Sequence, residues 1–289
     1  MLSFRKIEKE DVPTIKYYAQ SCGIQSCDFT LCGIYLWGAY YGYEMCEYEN
    51  TLFIKGRDEY GKDAFALPIG ALDTRDAVDI VRDFCARHDL KARFSFVPES
   101  KIEDFAEGRI QKLDGWSDYI YGANALASLS GKKLHKKKNR FNKFVKTYPD
   151  YRFESVTTDN IARVRDFYLS FLAENPPENE RLNAERDIIL RLMDEYSLLG
   201  LNGGMISVDG EVVAFAFGER VNDTLYVHFE KANRKFDGAY EAMNCLFVRN
   251  FASDSLFVDR EEDMGDEGLR RAKSSYCPIK MVDKYEVRY

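Results

Sequence analysis

Residues 205–230 read MISVDGEVVAFAFGERVNDTLYVHFE, and this stretch decides the architecture. Three runs, 205–208, 212–217 and 225–229, are rich in the β-branched and aromatic residues that suit strands. Asp209 with Gly210, and Asn222 with Asp223, separate them. Both pairs tolerate the positive φ of a tight hairpin, so the stretch predicts an antiparallel meander. Downstream, the pattern predicts a helix over 238–251, a strand over 256–258, a short helix over 268–274 and a final strand near 281–287. Upstream, 152–156 reads as a strand. Asp159 then caps a helix with Ile161, Val164, Phe167, Tyr168 and Phe171 at helical spacing. A break at Pro176 and Pro177 precedes a helix over about 181–199.

The first half of the chain runs through the same order. Strand 2–7 is followed by a helix opened by Asp11 and Pro13, and by an aromatic helix over 28–37. Short strands over 44–48, 51–54 and 64–69 come next. A helix over 73–88 carries Ala77, Ile80, Val81, Phe84 and Cys85 on one stripe. Strand 94–97, short helix 101–107 and strand 116–121 complete the half. The order β-α-α-β-β-β-α-β-α-β thus occurs twice. It predicts an α+β protein with a tandem duplication, mixed sheets flanked by helices, divided as 1–122, a linking helix over 123–150, and 151–289.

Composition narrows the class. Of 289 residues, 45% are hydrophobic, enough to bury a core, yet no apolar run approaches the roughly 20 residues needed to span a bilayer. The first ten residues are charged and lack a signal-peptide core, so a cytoplasmic protein is expected, peripheral to a membrane at most. Seven cysteines, an odd number without a C-x-x-C pair, read as reduced thiols. With three histidines and no ligand cluster in the sequence, no metal is expected.

Charge is distributed unevenly. The net charge is −7, yet 119–149 holds eight Lys or Arg and no acid. On a helical wheel, Leu134, Phe141, Phe144, Val145 and Tyr148 form an apolar stripe. Lys132, Lys136, Arg140, Lys143 and Lys146 fall off it. Lys137 lies inside the stripe and Lys138 at its edge. A lysine turned inward must snorkel, pair with an acid or face a wet cleft. Lys137 is therefore expected to meet a phosphate or carboxylate, and the outward face to track a polyanion such as tRNA or an anionic lipid surface.

The element order resembles the GNAT (acyl-CoA N-acyltransferase) fold. That resemblance implies that the fourth and fifth strands splay apart and hold an acyl donor. It also implies that the helix after strand four offers its N-terminal N–H groups to a pyrophosphate. The usual loop there is Q/R-x-x-G-x-G/A. Residues 68–73 read PIGALD and keep one glycine; 233–239 read NRKFDGA. The second keeps Arg234 and the Gly238–Ala239 pair at altered spacing, which makes Asn233, Arg234 and Gly238 candidate binding residues.

The motifs GKKLHKKKNRFNKF (131–144) and EDMGDEGLRRAK (262–273), taken together, resemble the phosphatidylglycerol lysyltransferase C-terminal domain family. This is a tandem-GNAT group related to the Fem aminoacyl-tRNA-dependent transferases. The resemblance implies transfer of an aminoacyl group from aminoacyl-tRNA to a lipid headgroup or other small acceptor, with no tightly bound cofactor. The membrane-spanning part of the full lysyltransferases has no counterpart in this sequence. Arg270 and Lys273 are candidates for an oxyanion or the terminal phosphate. Glu262 and Asp263 are candidates to hold a substrate ammonium or take a proton. Glu230, alternating with Tyr226 and His228 on a strand, is a further candidate base. Lys132, Lys133, His135, Lys136, Lys137, Lys138, Asn139 and Arg140 are the expected substrate-binding residues of the basic helix. Two other readings are a coenzyme-A-dependent N-acyltransferase and a non-catalytic module that binds RNA or anionic membrane.

Overall fold

In the computed structural model, which describes residues 2–58 and 60–289, the chain divides into two units, neither of them contiguous in sequence. Unit one takes the residues up to Asp118, together with Glu262–Asp266 and Met281–Tyr289. Unit two takes Tyr119–Glu261 and Glu267–Lys280.

The first stretch of unit one runs β1 (Arg5–Lys6), α1 (Val12–Ser21), α2 (Gly38–Tyr41), β2 (Glu44–Tyr48), β3 (Thr51–Arg57), β4 (Asp63–Phe65), β5 (Ile69–Gly70), α3 (Thr74–Arg87), β6 (Arg93–Pro98) and β7 (Arg109–Lys112). Next come β8 (Asp118–Gly122), α4 (Ala123–Ser128), α5 (His135–Thr147), β9 (Arg152–Ser155), α6 (Ile161–Glu174), α7 (Glu180–Asp194) and α8 (Tyr196–Leu199). The meander follows as β10 (Asn202–Val208), β11 (Glu211–Val221) and β12 (Thr224–Ala232). The chain ends with α9 (Ala239–Phe251), β13 (Phe257–Asp259), α10 (Glu267–Ser274), β14 (Lys280–Val282) and β15 (Lys284–Arg288).

The sheet of unit one has the order β1-β2-β3-β4-β6-β15-β7, with β5 paired to β3. Its β4–β6 pair is parallel, Phe65 facing Phe94. In unit two the order is β8-β13-β12-β11-β10-β9, and β12–β13 is the parallel pair. Each sheet is therefore completed by a strand from the other half of the sequence. C-terminal β15 lies between β6 and β7, and β8 lies beside β13. The boundaries expected from the sequence, at 122 and 151, assume that each half keeps its own last strand. The pairing does otherwise, because the local sequence of a short buried strand such as β8 carries no mark of which sheet it joins.

The 123–150 segment also differs from a free-standing linker. Its Leu126, Leu129, Phe141 and Phe144 belong to the core of unit two, packed with Met243, Phe247 and other residues of α9. Local differences have local causes. Residues 32–37 form a π-helical segment where an α-helix from 28 was expected. The helix expected over 101–107 is a 3-10 turn over Glu99–Asp104. Strand β7 went unseen because all four of its residues are exposed, which removes the alternation that marks a half-buried strand. Among the described residues no helix is long and apolar enough to cross a membrane.

Candidate active site

The parallel pairing of β12 with β13 is short. It matches Thr224 to Phe257, Leu225 to Val258 and Tyr226 to Asp259, and then stops. Immediately beyond, the β11–β12 register slips, so that Phe217 faces Phe229 while Gly218 faces Val227. His228 is the extra residue of this bulge. Gly218 permits it, since a Cβ there would lie 2.1 Å from the Tyr226 carbonyl oxygen. The bulge breaks the strict alternation expected of Tyr226, His228 and Glu230. The His228 ring is buried, with Nδ1 2.7 Å from Glu261 and Nε2 3.0 Å from Glu219. A carboxylate therefore lies against each nitrogen of the ring.

Past the bulge, Glu230 Oε2 accepts from Arg260 Nη2 at 3.2 Å. This ion pair spans the point where β12 and β13 part. Burial raises the Glu230 pKa, opposed by Arg260. Burial works against the Arg260 charge as well, but Glu230, Tyr276, Tyr121 and Glu241 together outweigh it and the guanidinium stays ionised. Asn244 on α9 lies against the Glu230 carboxylate and favours its charged form. Next to them Glu241, also on α9, receives Lys137 Nζ at 3.3 Å and Arg140 Nη1 at 3.4 Å. The Tyr276 ring lies under two cations, 4.1 Å from Lys137 Nζ and 4.7 Å from the Arg260 guanidinium. Lys137 thus points inward from α5 and meets a carboxylate. Burial lowers its pKa, and Glu241 partly restores it.

Unit one holds a second charged cluster. Lys284 on β15 has no exposed surface, and its ammonium lies 2.6 Å from Asp28, 2.8 Å from Asp118 and 3.7 Å from Glu262. It also donates to Cys27 Sγ at 3.2 Å. Three carboxylates share one ammonium. Burial pushes the Asp118 pKa up to about 7 against the pull of Lys284, with Glu262 and Asp28 adding to the rise. Lys284 is held charged well beyond its ordinary range, because Asp118 and Asp28 outweigh its burial. Burial likewise keeps Cys27 a thiol. Ligand atoms of Cys27, Asp118 and Glu262 lie within 4.8 Å of one another, a grouping that the sequence did not reveal. The Lys284 ammonium already supplies the cation there.

The remaining sequence candidates are divided between the two units. Lys132, Lys133, His135, Lys136, Lys138, Asn139 and Arg140 are exposed on α5 or the turn before it. Asn139 and His135 hydrogen-bond to each other. In unit two Lys273 Nζ donates to the Arg260 carbonyl at 2.6 Å, which ties α10 to the end of β13. Arg270, on the same helix, is exposed. Glu262 and Asp263 lie in unit one, and Asp263 accepts from the Gly265 N–H at 2.8 Å to close its own turn. Asn233 accepts from the Lys235 N–H in the same way, and Arg234 is exposed. Gly238 has φ +89°, and a Cβ on it would lie 2.6 Å from the Arg140 carbonyl oxygen, so it lets α5 cross the start of α9. Sequence reasoning missed Arg260, Asn244, Glu241, Lys284 and Asp118. Arg260 stood inside the acidic loop as a visible signal; the others are lone polar residues in apolar surroundings.

Comparison with known proteins places this geometry in context. The family model "Phosphatidylglycerol lysyltransferase, C-terminal" matches residues 22–288. A conserved protein of unknown function from Bacteroides thetaiotaomicron is 29% identical, with a TM-score of 0.93 over 100% of this chain and 99% of that one. The C-terminal domain of a putative lysylphosphatidylglycerol synthetase from Agrobacterium fabrum shares the fold at a TM-score of 0.70 and 13% identity, over 97% and 92%. An uncharacterised protein from Mycoplasmoides gallisepticum is 25% identical over 175 residues, covering 60% of this chain and 56% of that relative, a little over half its length. The fold is the tandem GNAT and Fem-like arrangement.

Proposed function

Because the chain belongs to the phosphatidylglycerol lysyltransferase C-terminal family, whose fold is that of acyltransferases, we propose that it moves an aminoacyl group from aminoacyl-tRNA to a lipid headgroup or other small acceptor. One observation carries the choice of donor. In a GNAT unit, the helix after the fourth strand offers its N-terminus to the pyrophosphate of coenzyme A. Here that helix is α9, and α5 lies across its start. Arg140 and Phe144 pack on Gly238, and Lys143 Nζ reaches Asp237 at 2.6 Å. Backbone and an acid stand where a pyrophosphate would need N–H groups. The same α5 turns a lysine-rich surface outward, of the kind that binds a phosphate backbone.

An aminoacyl ester is already activated, so the protein's task is to hold and orient it. The acceptor oxygen or nitrogen forms the new bond to the ester carbonyl carbon. The bond to the terminal ribose oxygen breaks, and that oxygen leaves with the acceptor's proton. Arg260, Lys273 and Arg270 are the cations of unit two proposed for the developing oxyanion or the terminal phosphate. Glu230 is the carboxylate proposed for the ammonium or the proton. The test is to supply radiolabelled aminoacyl-tRNA pools with phosphatidylglycerol vesicles or small amines, beside a parallel reaction with acetyl-CoA. Labelled lipid or amine from the tRNA reaction is expected. Transfer from acetyl-CoA with none from tRNA would overturn the proposal, and binding of tRNA without transfer to any acceptor would make the protein a binding module.

A further inference from the structure

Between the diverging ends of β12 and β13, four polar side-chain atoms are buried without a hydrogen bond of ordinary length and angle, although the Asn244 amide lies against the Glu230 carboxylate. They are Glu230 Oε1, Arg260 Nη1, and both Nδ2 and Oδ1 of Asn244. Asn244 is 1% exposed, so its whole amide is withdrawn from water. Leaving such groups unsatisfied is costly, and native proteins leave few of them. Four in one place, on three separate elements, form a built site. Two of the atoms accept and two donate.

We infer that this cluster is the subsite for the α-aminoacyl group: Glu230 Oε1 and Asn244 Oδ1 take the α-ammonium, and Arg260 Nη1 and Asn244 Nδ2 take the ester carbonyl. An ammonium is donor-only and a carbonyl acceptor-only, and in an aminoacyl ester they are one carbon apart. An acetyl group has the carbonyl and lacks the ammonium, so it would leave two acceptors unsatisfied. The position fits as well. The cluster lies where the two strands part, which is where the fold holds its acyl donor. Lys137 and Arg260, beside it, each keep 15% of their side-chain exposure. This inference rests on the donor proposed above.

The experiment measures binding of non-hydrolysable 3′-aminoacylamido-3′-deoxyadenosines, one for each proteinogenic amino acid, to the full chain by calorimetry. Their N-acetylated forms and uncharged tRNA serve as controls. A free-amine analogue is expected to bind roughly 10- to 100-fold more tightly than its N-acetyl form, the range set by one charged hydrogen bond. Asn244→Leu is expected to weaken that analogue by at least about tenfold, leave uncharged tRNA binding unchanged, and keep or raise the melting temperature. Glu230→Gln retains an acceptor for Arg260 and is expected to lose the same discrimination, which keeps the test open if the leucine variant fails to fold. Equal binding of free-amine and N-acetyl analogues overturns the subsite, as does Asn244→Leu with a lowered melting temperature and unchanged affinity, the result for an amide that only holds water. Binding of tRNA with no preference for a free amine overturns the subsite and leaves the donor proposal standing. No binding of tRNA by the wild-type chain overturns both.

Discussion

Lys284 gathers Asp28, Asp118 and Glu262 around one ammonium inside unit one. Breaking a buried ion cluster from one side leaves charge without compensation, and such losses run to about 3–5 kcal/mol. Lys284→Met is expected to destabilise by that amount in chemical denaturation, with Asp118→Asn, which removes a carboxylate from an over-supplied site, costing much less. Asp118 also makes a pH prediction. Its folded pKa, about 7, lies above the roughly 3.9 of an unfolded aspartate, so the folded state binds the proton more tightly. Its stabilising contribution is complete below about pH 4 and is lost as the pH rises through about 7. The melting temperature of the wild type should therefore fall across that window relative to Asp118→Asn. Matching profiles would show that Asp118 stays ionised throughout. Neither Lys284 nor Asp118 was legible in the sequence, because burial of a lone charge depends on residues more than a hundred positions away. Lys137 was legible, because a helical stripe exposes an intruder within two turns.

Helix α5 is amphipathic in a plain sense: Phe141 and Phe144 enter the core of unit two, and Lys132, Lys133, Lys136 and Lys138 at its entrance stay exposed. The two faces make separable predictions. Phe144→Ala removes a fully buried ring and is expected to cost about 3–5 kcal/mol of stability. A Lys132→Ala/Lys136→Ala double variant should leave stability unchanged, weaken tRNA binding, and flatten its logarithmic salt dependence by about one to two. An unchanged salt slope would remove α5 from the tRNA surface. At the α5–α9 crossing, Gly238→Ala meets both a positive φ and the Arg140 carbonyl, so a loss of about 1–3 kcal/mol is expected by thermal denaturation. Gly238 was read from the sequence as the remnant of a pyrophosphate loop. In the structure its small size serves helix packing, and a motif residue cannot announce which of the two it does.

For the whole molecule, the exchange of β8 and β15 makes each unit depend on the other half of the sequence. A fragment of residues 1–118 lacks β15, which lies inside its sheet, and should show no cooperative unfolding transition by circular dichroism. A chain truncated after Val282 should lose unit one in the same way while retaining helical signal from unit two. An independently folded 1–118 fragment would show that β15 adds little. The repeated element order, the meander of 205–230, the apolar stripe of α5 and the inward turn of Lys137 were determined by the sequence alone. Those features are local, set by periodicities of two and 3.6 residues and by turn chemistry within a few positions. Only the tertiary structure decided which sheet receives the last strand of each half, where β12 bulges against β11 and parts from β13, and that Glu230, Asn244 and Arg260 converge there. Those are choices among distant partners of similar local pattern, and packing and hydrogen-bond satisfaction across the folded chain make them.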